Sequence, residues 1–139
     1  IPSSATTIAG AAFSHCSGLE SMVIPSAVKS IEDWTFDCCE KLTVVTLPDG
    51  VARIGQESFR GCANLTSLTI TSDVRIVGRR AFEGCVELSA VTMRGGRPSA
   101  SNDIFADCGK LKAIHVPANA KSWAGMTEWQ GIPLVFDVN

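Results

Sequence analysis

The chain has 139 residues, of which 45% are hydrophobic and 19% are charged, and its formal net charge is −2. This composition suffices for one folded domain and excludes a disordered chain. Lys and Arg are scattered without a basic stripe, which excludes a nucleic-acid partner. No apolar run approaches the roughly 20 residues of a membrane-spanning helix, and no signal peptide is recognisable.

A single unit of 23 residues recurs along the chain. Its markers are a Phe, a Cys three residues later and a Leu three residues after that. The markers are Phe13, Phe36, Phe59, Phe82 and Phe105; Cys16, Cys39, Cys62, Cys85 and Cys108; and Leu19, Leu42, Leu65, Leu88 and Leu111. One unit cannot bury its own apolar face, so the repetition predicts a solenoid of five stacked coils over residues 1–117, with the Phe and Cys columns in its core.

The chain begins in the middle of this pattern. Ile1-Pro2 is in register with Ile24-Pro25 and Leu47-Pro48. We therefore expect Ile1 to be the end of a strand that starts earlier in the native protein. A solenoid cap and any export signal would belong to that preceding segment.

Each marker Leu is followed by a short alternating stretch of β-branched and apolar residues, which predicts a strand. In the first strand Met22 and Ile24 point inward, and Ser21 and Val23 point outward. Stacking of the coils makes these strands parallel, about 4.8 Å apart. A second inward pair follows in each coil. Gly55 and Gly78 come next, where we expect the backbone to bend.

The remaining segments are expected to differ from the strands. The Phe-x-x-Cys spacing predicts a short helical or 3₁₀ turn in each coil. Two Gly and a Pro within residues 94–102 predict an irregular, mobile loop. Trp123, Met126 and Trp129 share one helical side, so residues 118–130 are predicted to form a helix. With a last strand at 134–136, residues 118–139 would form a C-terminal cap.

The repeat resembles the BspA-like (treponemal-type) leucine-rich repeat, whose pattern is roughly L-x-x-L-x-I-P-x-x-V-x-x-I-G-x-x-A-F-x-x-C. The nearest copy runs from Leu65 through Ile70, Val74, Val77-Gly78 and Ala81-Phe82 to Cys85. This resemblance implies an α/β-type repeat solenoid, a right-handed coil with a parallel sheet on its concave side. It also implies a bacterial surface, exported or periplasmic protein, with a role in adhesion and virulence through binding to host matrix or cell-surface proteins.

The five periodic cysteines are predicted to be buried structural thiols, because zinc ligands usually occur as close pairs and each coil has only one. Cys38 is the sixth cysteine and lies in a column that is predicted to be exposed. It is a candidate reactive thiol or intermolecular disulfide, and an incidental free thiol is the favoured interpretation. His15, Cys16, Cys38 and Cys39 fall on adjacent coils and could hold an adventitious metal ion, but we predict no functional metal site.

The outward face of the predicted sheet is the best candidate for a binding surface, because its residues are small and uncharged. The alternative is that Thr and Val are there only because they favour strands. The predicted contact residues are Val23, Val44, Thr46, Ser67, Thr69, Thr71, Thr92, Arg94 and His115.

The sequence gives no support for catalysis or for a cofactor. The two histidines lie four coils apart, and no nucleophile elbow, zinc-protease motif or phosphate-binding loop is present. The sequence favours a non-enzymatic module that binds a protein partner. The alternative is a structural module that forms homo-oligomers through an exposed strand edge or Cys38.

Overall fold

The computed structural model describes residues 1–138, which coil into a leucine-rich-repeat solenoid with parallel sheets on two sides. The strands on the predicted concave side, which we call the concave sheet, are β1 Ser21–Val23, β3 Val44–Thr46, β5 Ser67–Ile70, β7 Ala90–Met93, β9 Ile114–Pro117 and β11 Ile132–Asp137. The shorter strands of the second sheet are β2 Ser30–Ile31, β4 Arg53–Ile54, β6 Ile76–Val77 and β8 Ser99–Ala100. Strand β10, Glu128–Trp129, pairs antiparallel with β11.

The Phe column forms the spine of the core. Adjacent rings from Phe13 to Phe105 stack with centroids 5.2–5.6 Å apart. The three middle rings are fully buried, and Phe13 in the first coil is half-buried. Stacked rings and the inward Leu, Ile and Val columns make one continuous hydrophobic core across the coils.

The Cys column joins each coil to the preceding one. Each buried thiol donates its S–H to the carbonyl of the Phe 26 residues earlier, at Sγ–O distances of 3.1–3.3 Å. The donors are Cys39, Cys62, Cys85 and Cys108, and Cys16 of the first coil is partly exposed. Burial raises the pKa of the Cys39 thiol to about 11 and also raises the pKa of Cys62. Cys39 and Cys62 are therefore neutral, structural thiols at pH 7.

The segment 94–102 departs from the prediction of an irregular loop. Ser99–Ala100 forms β8, which pairs in parallel with Ile76–Val77 of the preceding coil. Strand pairing uses backbone groups, so the second sheet continues although Arg97 and Ala100 replace the apolar pair that is Val74 and Val77 in the preceding coil. The indole N–H of Trp123 also donates to the Gly95 carbonyl at 2.9 Å, which fixes the start of the segment.

The predicted C-terminal helix over residues 118–130 is wrong. That range contains only a 3₁₀ turn at Lys121–Trp123 and the hairpin strand β10. Trp123 and Trp129 do share one side, but through a turn and a hairpin, and their rings meet edge-to-face at 5.3 Å. The predicted strand at 134–136 lies within β11, which pairs with β9 and extends the concave sheet.

Candidate binding surface on the concave sheet

The outward side chains of the concave sheet form parallel rows, because each strand alternates between core and solvent. Val23 is 71% exposed and Val44 is 45% exposed. Thr46, Ser67 and Thr69 are also exposed, whereas Thr92 and His115 are half-buried.

Thr71 does not belong to the exposed rows. Its side chain is buried, and its hydroxyl donates to the carbonyl of Pro48 in the preceding coil at 3.3 Å. Thr71 follows the last residue of β5, where the chain already turns toward the next face. Arg94 occupies the equivalent position one coil later and is exposed. No ion pair of its guanidinium is found within residues 1–138.

An open depression of about 460 Å³ lies on this surface, between the coils of β3 and β5. It brings together most of the predicted contact residues, namely Val44, Thr46, Ser67, Thr69, Thr71 and Arg94. Pro48 and Asp49 also line it, as do Val45 and Leu47 of the core. Val23, Thr92 and His115 lie outside the depression.

The depression coincides with an interruption of the concave sheet. Strands β1 and β3 form one ladder, and β5 begins a second ladder that continues through β11. Within the described chain, β3 and β5 share no ladder pairing, although β4 and β6 of the same two coils remain paired. The two coils stay in contact beside this interruption, since the Thr66 backbone N–H, just before β5, donates to the Thr43 carbonyl at 3.5 Å.

Sequence reasoning missed three residues of this surface. Val135 pairs with His115 across β11 and β9, and it extends the outward row by one strand with 40% of its surface exposed. Asp137 lies 2.8 Å from the His115 Nδ1. Both lie in or directly after the strand predicted at 134–136, which was assigned to the C-terminal cap and not to the concave sheet. Asp49, on the rim of the depression, follows Pro48, which signals only a turn in the sequence.

The Cys38 thiol is partly buried rather than fully exposed. Its S–H donates to the Oδ1 of Asp37 at 3.5 Å. Burial, followed by the negative charge of Asp37, raises the pKa of this thiol above its ordinary value. A raised pKa lowers the thiolate fraction at neutral pH, which makes Cys38 a weaker nucleophile than a free surface cysteine.

Comparison with known proteins agrees with the repeat pattern and the coil. Residues 1–112 match the family described as the BspA type leucine rich repeat region, in six copies. The chain belongs to this family. A comparison with curated proteins gives no match.

Solved structures of bacterial leucine-rich-repeat proteins share the coil. A leucine-rich repeat protein from Bacteroides ovatus is 29% identical with a TM-score of 0.71, over 92% of this chain and 33% of its own. The T. pallidum leucine rich repeat protein is 29% identical with a TM-score of 0.73, over 78% of this chain and 50% of its own. The pneumococcal vaccine antigen PcpA is 24% identical with a TM-score of 0.71, over 83% of this chain and 29% of its own, and shows the fold alone.

The chain thus spans between about a third and a half of the first two of these relatives. Among residues 1–138, no helix has the length and apolar character needed to cross a membrane.

Proposed function

We propose that this BspA-type chain is a non-enzymatic protein-interaction module whose concave sheet binds an extended segment of a partner protein. The observation that carries the proposal is the depression at the interruption between β3 and β5. An extended segment lying across the outward rows would place alternate side chains in this depression, where the exposed Thr and Ser hydroxyls can donate and accept hydrogen bonds.

The chemistry of the depression suits a peptide more than a small metabolite. Its exposed side chains are mainly Thr, Ser and Val, and it is open to solvent, so few polar groups converge on one point. The unpaired guanidinium of Arg94 stands at one side and also lines a second depression formed with Thr92, Pro117 and Asp137. A partner segment that places a carboxylate at Arg94 would gain a charge-assisted hydrogen bond there.

We further propose that the chain works at a bacterial surface or after export, as an adhesin-like domain that contacts a host matrix or cell-surface protein. Family membership supports this part of the proposal, because the BspA-type proteins it resembles are associated with bacterial surfaces and host binding. Fold alone does not determine a ligand, so adhesion needs its own test.

The test is direct binding of the purified chain to a panel of soluble host matrix proteins. Thr69 is exposed at the centre of the concave sheet and lines the depression. Thr69→Lys should abolish binding by adding an unpaired charge to the interface. Val86→Lys adds the same charge at a 47% exposed site in the turn after Cys85, and should leave binding unchanged.

Equal binding by wild type and both variants would exclude the concave sheet as the contact surface. Absence of binding to every panel member would contradict adhesion to matrix proteins and favour the self-assembly alternative. Light scattering with and without reductant measures that alternative directly, since assembly through Cys38 would be lost on reduction.

A further inference from the structure

Away from the concave sheet, three side chains with different metal-ligating groups converge on the turn side of the first two coils. The ring nitrogens of His15, the carboxylate of Asp37 and the Cys38 sulfur each place a ligand atom within 4.8 Å of the other two. Within residues 1–138, no second group of three such side chains is found.

The repeat itself explains the convergence. His15 and Cys38 lie 23 residues apart at the same position of successive turns, and both have left-handed backbones with φ of 59° and 58°. The same column contains Gly61 and Gly84, which suit that conformation better. The coil therefore stacks the His15 and Cys38 side chains on one another. The backbone N–H of His15 donates to the backbone carbonyl of Asp37 at 2.7 Å, which fixes the spacing of the two turns.

The charges around the cluster favour a cation. Asp37 is 6% exposed at its side chain, and Arg60 donates to both of its oxygens at 2.9 and 3.1 Å. Glu57 in turn pairs with Arg60 at 2.8 Å. The two carboxylates and one guanidinium sum to a formal charge of −1.

Asp37 retains acceptor capacity toward the other two ligands. Each carboxylate oxygen has two lone pairs, and Arg60 takes one on each. The Cys38 S–H already points to Oδ1 at 3.5 Å, and the His15 Nε2 lies 3.9 Å from Oδ2. A metal ion would replace the S–H proton between Cys38 and Asp37.

We propose that His15, Asp37 and Cys38 form a binding site for zinc or a similar soft divalent cation, with water in the fourth position. Zinc takes S, N and O ligands at about 2.0–2.3 Å in a tetrahedron. Such ligand atoms lie about 3.5 Å apart, so the cluster needs to contract. The His15 side chain is 72% exposed and is free to rotate inward. Magnesium and calcium prefer sites built from oxygen alone and do not fit this set.

Sequence reasoning placed His15 and Cys38 on adjacent coils but grouped them with Cys16 and Cys39, and it missed Asp37. Cys39 is buried and donates to the Phe13 carbonyl, so it is not a ligand. Asp37 could not be distinguished from other single acidic residues, because its burial beside Arg60 is a tertiary feature.

The test uses Co²⁺ and Zn²⁺ on the full chain, reduced with a phosphine. Wild type should bind one ion per chain and give the near-ultraviolet thiolate-to-cobalt absorption band, and Mg²⁺ should produce neither effect. Cys38→Ser should abolish the band, and His15→Ala should weaken zinc binding at least about tenfold by calorimetry. His15 is on the surface, so its variant is expected to fold.

Two matched controls separate this site from the other thiols and histidines. Cys16→Ser removes a partly exposed thiol next to His15, and His115→Ala removes a histidine that contacts Asp137 without a thiol. Both should retain the band and the zinc affinity. A band that survives in Cys38→Ser, or zinc affinity unchanged in His15→Ala, would overturn the proposal, as would a wild type that binds no Co²⁺.

Discussion

Arg60 donates hydrogen bonds to both carboxylate oxygens of Asp37, which lies 23 residues earlier in the preceding coil. The Nε–Oδ1 distance is 2.9 Å and the Nη2–Oδ2 distance is 3.1 Å. The bond to Asp37 also raises the pKa of the Arg60 guanidinium above its ordinary value. Because the Asp37 side chain is almost completely buried, little water can reach its carboxylate in place of the guanidinium, and the pair ties the two coils together.

Arg60→Ala should therefore lower the free energy of unfolding by about 2 kcal/mol, because it leaves the buried Asp37 carboxylate without its positively charged partner. Arg53→Ala is the matched control. Arg53 also bridges coils, but its partners Glu32 and Asp33 have side chains 46% and 36% exposed, so we expect a loss below about 1 kcal/mol. Urea unfolding in a chelating buffer measures both losses.

The double variant Arg60→Ala with Asp37→Ala should be at least as stable as Arg60→Ala alone, because it removes the stranded charge. Equal losses for Arg53→Ala and Arg60→Ala would mean that burial of Asp37 does not determine the strength of the pair.

Gly78 packs closely against the preceding coil. A Cβ atom at this position would clash with the Gln56 backbone nitrogen and would lie 2.7 Å from the Gly55 carbonyl carbon. Gly78→Ala should cost about 1–3 kcal/mol, because the two coils must move apart to admit the methyl group. Gly109→Ala meets nothing within 4 Å and should be within about 0.5 kcal/mol of wild type. Thermal unfolding measures the stability of both variants. A Gly78→Ala variant as stable as wild type would refute the close packing of Gly78 against the preceding coil.

Gly78 shows where a sequence pattern identifies a position but not its cause. The repeat predicts a special backbone at Gly55 and Gly78, and we expected a sharp bend. Neither residue has a left-handed backbone, and the structure explains both by close approach of the preceding coil. A close contact between positions 23 residues apart is visible in the sequence only as a glycine, so the pattern does not distinguish it from a bend.

The strands of the concave sheet and the Phe column could be predicted, because the same residue pattern recurs in every coil. The second sheet could not, since two-residue strands such as Arg53–Ile54 are too short to show alternation. The C-terminal hairpin was mistaken for a helix because Trp123 and Trp129 are spaced as on one helical side. The interruption between β3 and β5 depends on how two coils meet, and the sequences of Val44–Thr46 and Ser67–Ile70 do not differ in any way that signals it.

Trp123 closes the C-terminal end of the core. Its side chain is fully buried, and its ring packs edge-to-face on Trp129, which in turn contacts Phe105 at the end of the spine. Its N–H also donates to the Gly95 carbonyl. Trp123 thus connects the C-terminal hairpin, the Phe column and the segment after β7.

Trp123→Ala should cost about 3–5 kcal/mol, because a large buried aromatic side chain leaves a cavity and an unpaired carbonyl. Trp123→Phe keeps most of the packing and loses only the N–H, so about 1 kcal/mol is expected. Trp34→Ala is the control. Trp34 is 42% exposed, and its indole N–H donates to the Glu57 carboxylate. We expect its replacement to cost below about 1 kcal/mol.

Urea unfolding gives these three values, and amide hydrogen exchange locates the effect. The Arg97 N–H donates to the Ser122 hydroxyl at 2.8 Å, so its exchange should accelerate in Trp123→Ala and remain slow in Trp34→Ala. Comparable losses for Trp123→Ala and Trp34→Ala would show that the hairpin does not seal the core. Unchanged exchange at Arg97 would show that the segment after β7 is held by its pairing in β8, without help from the turn that contains Trp123.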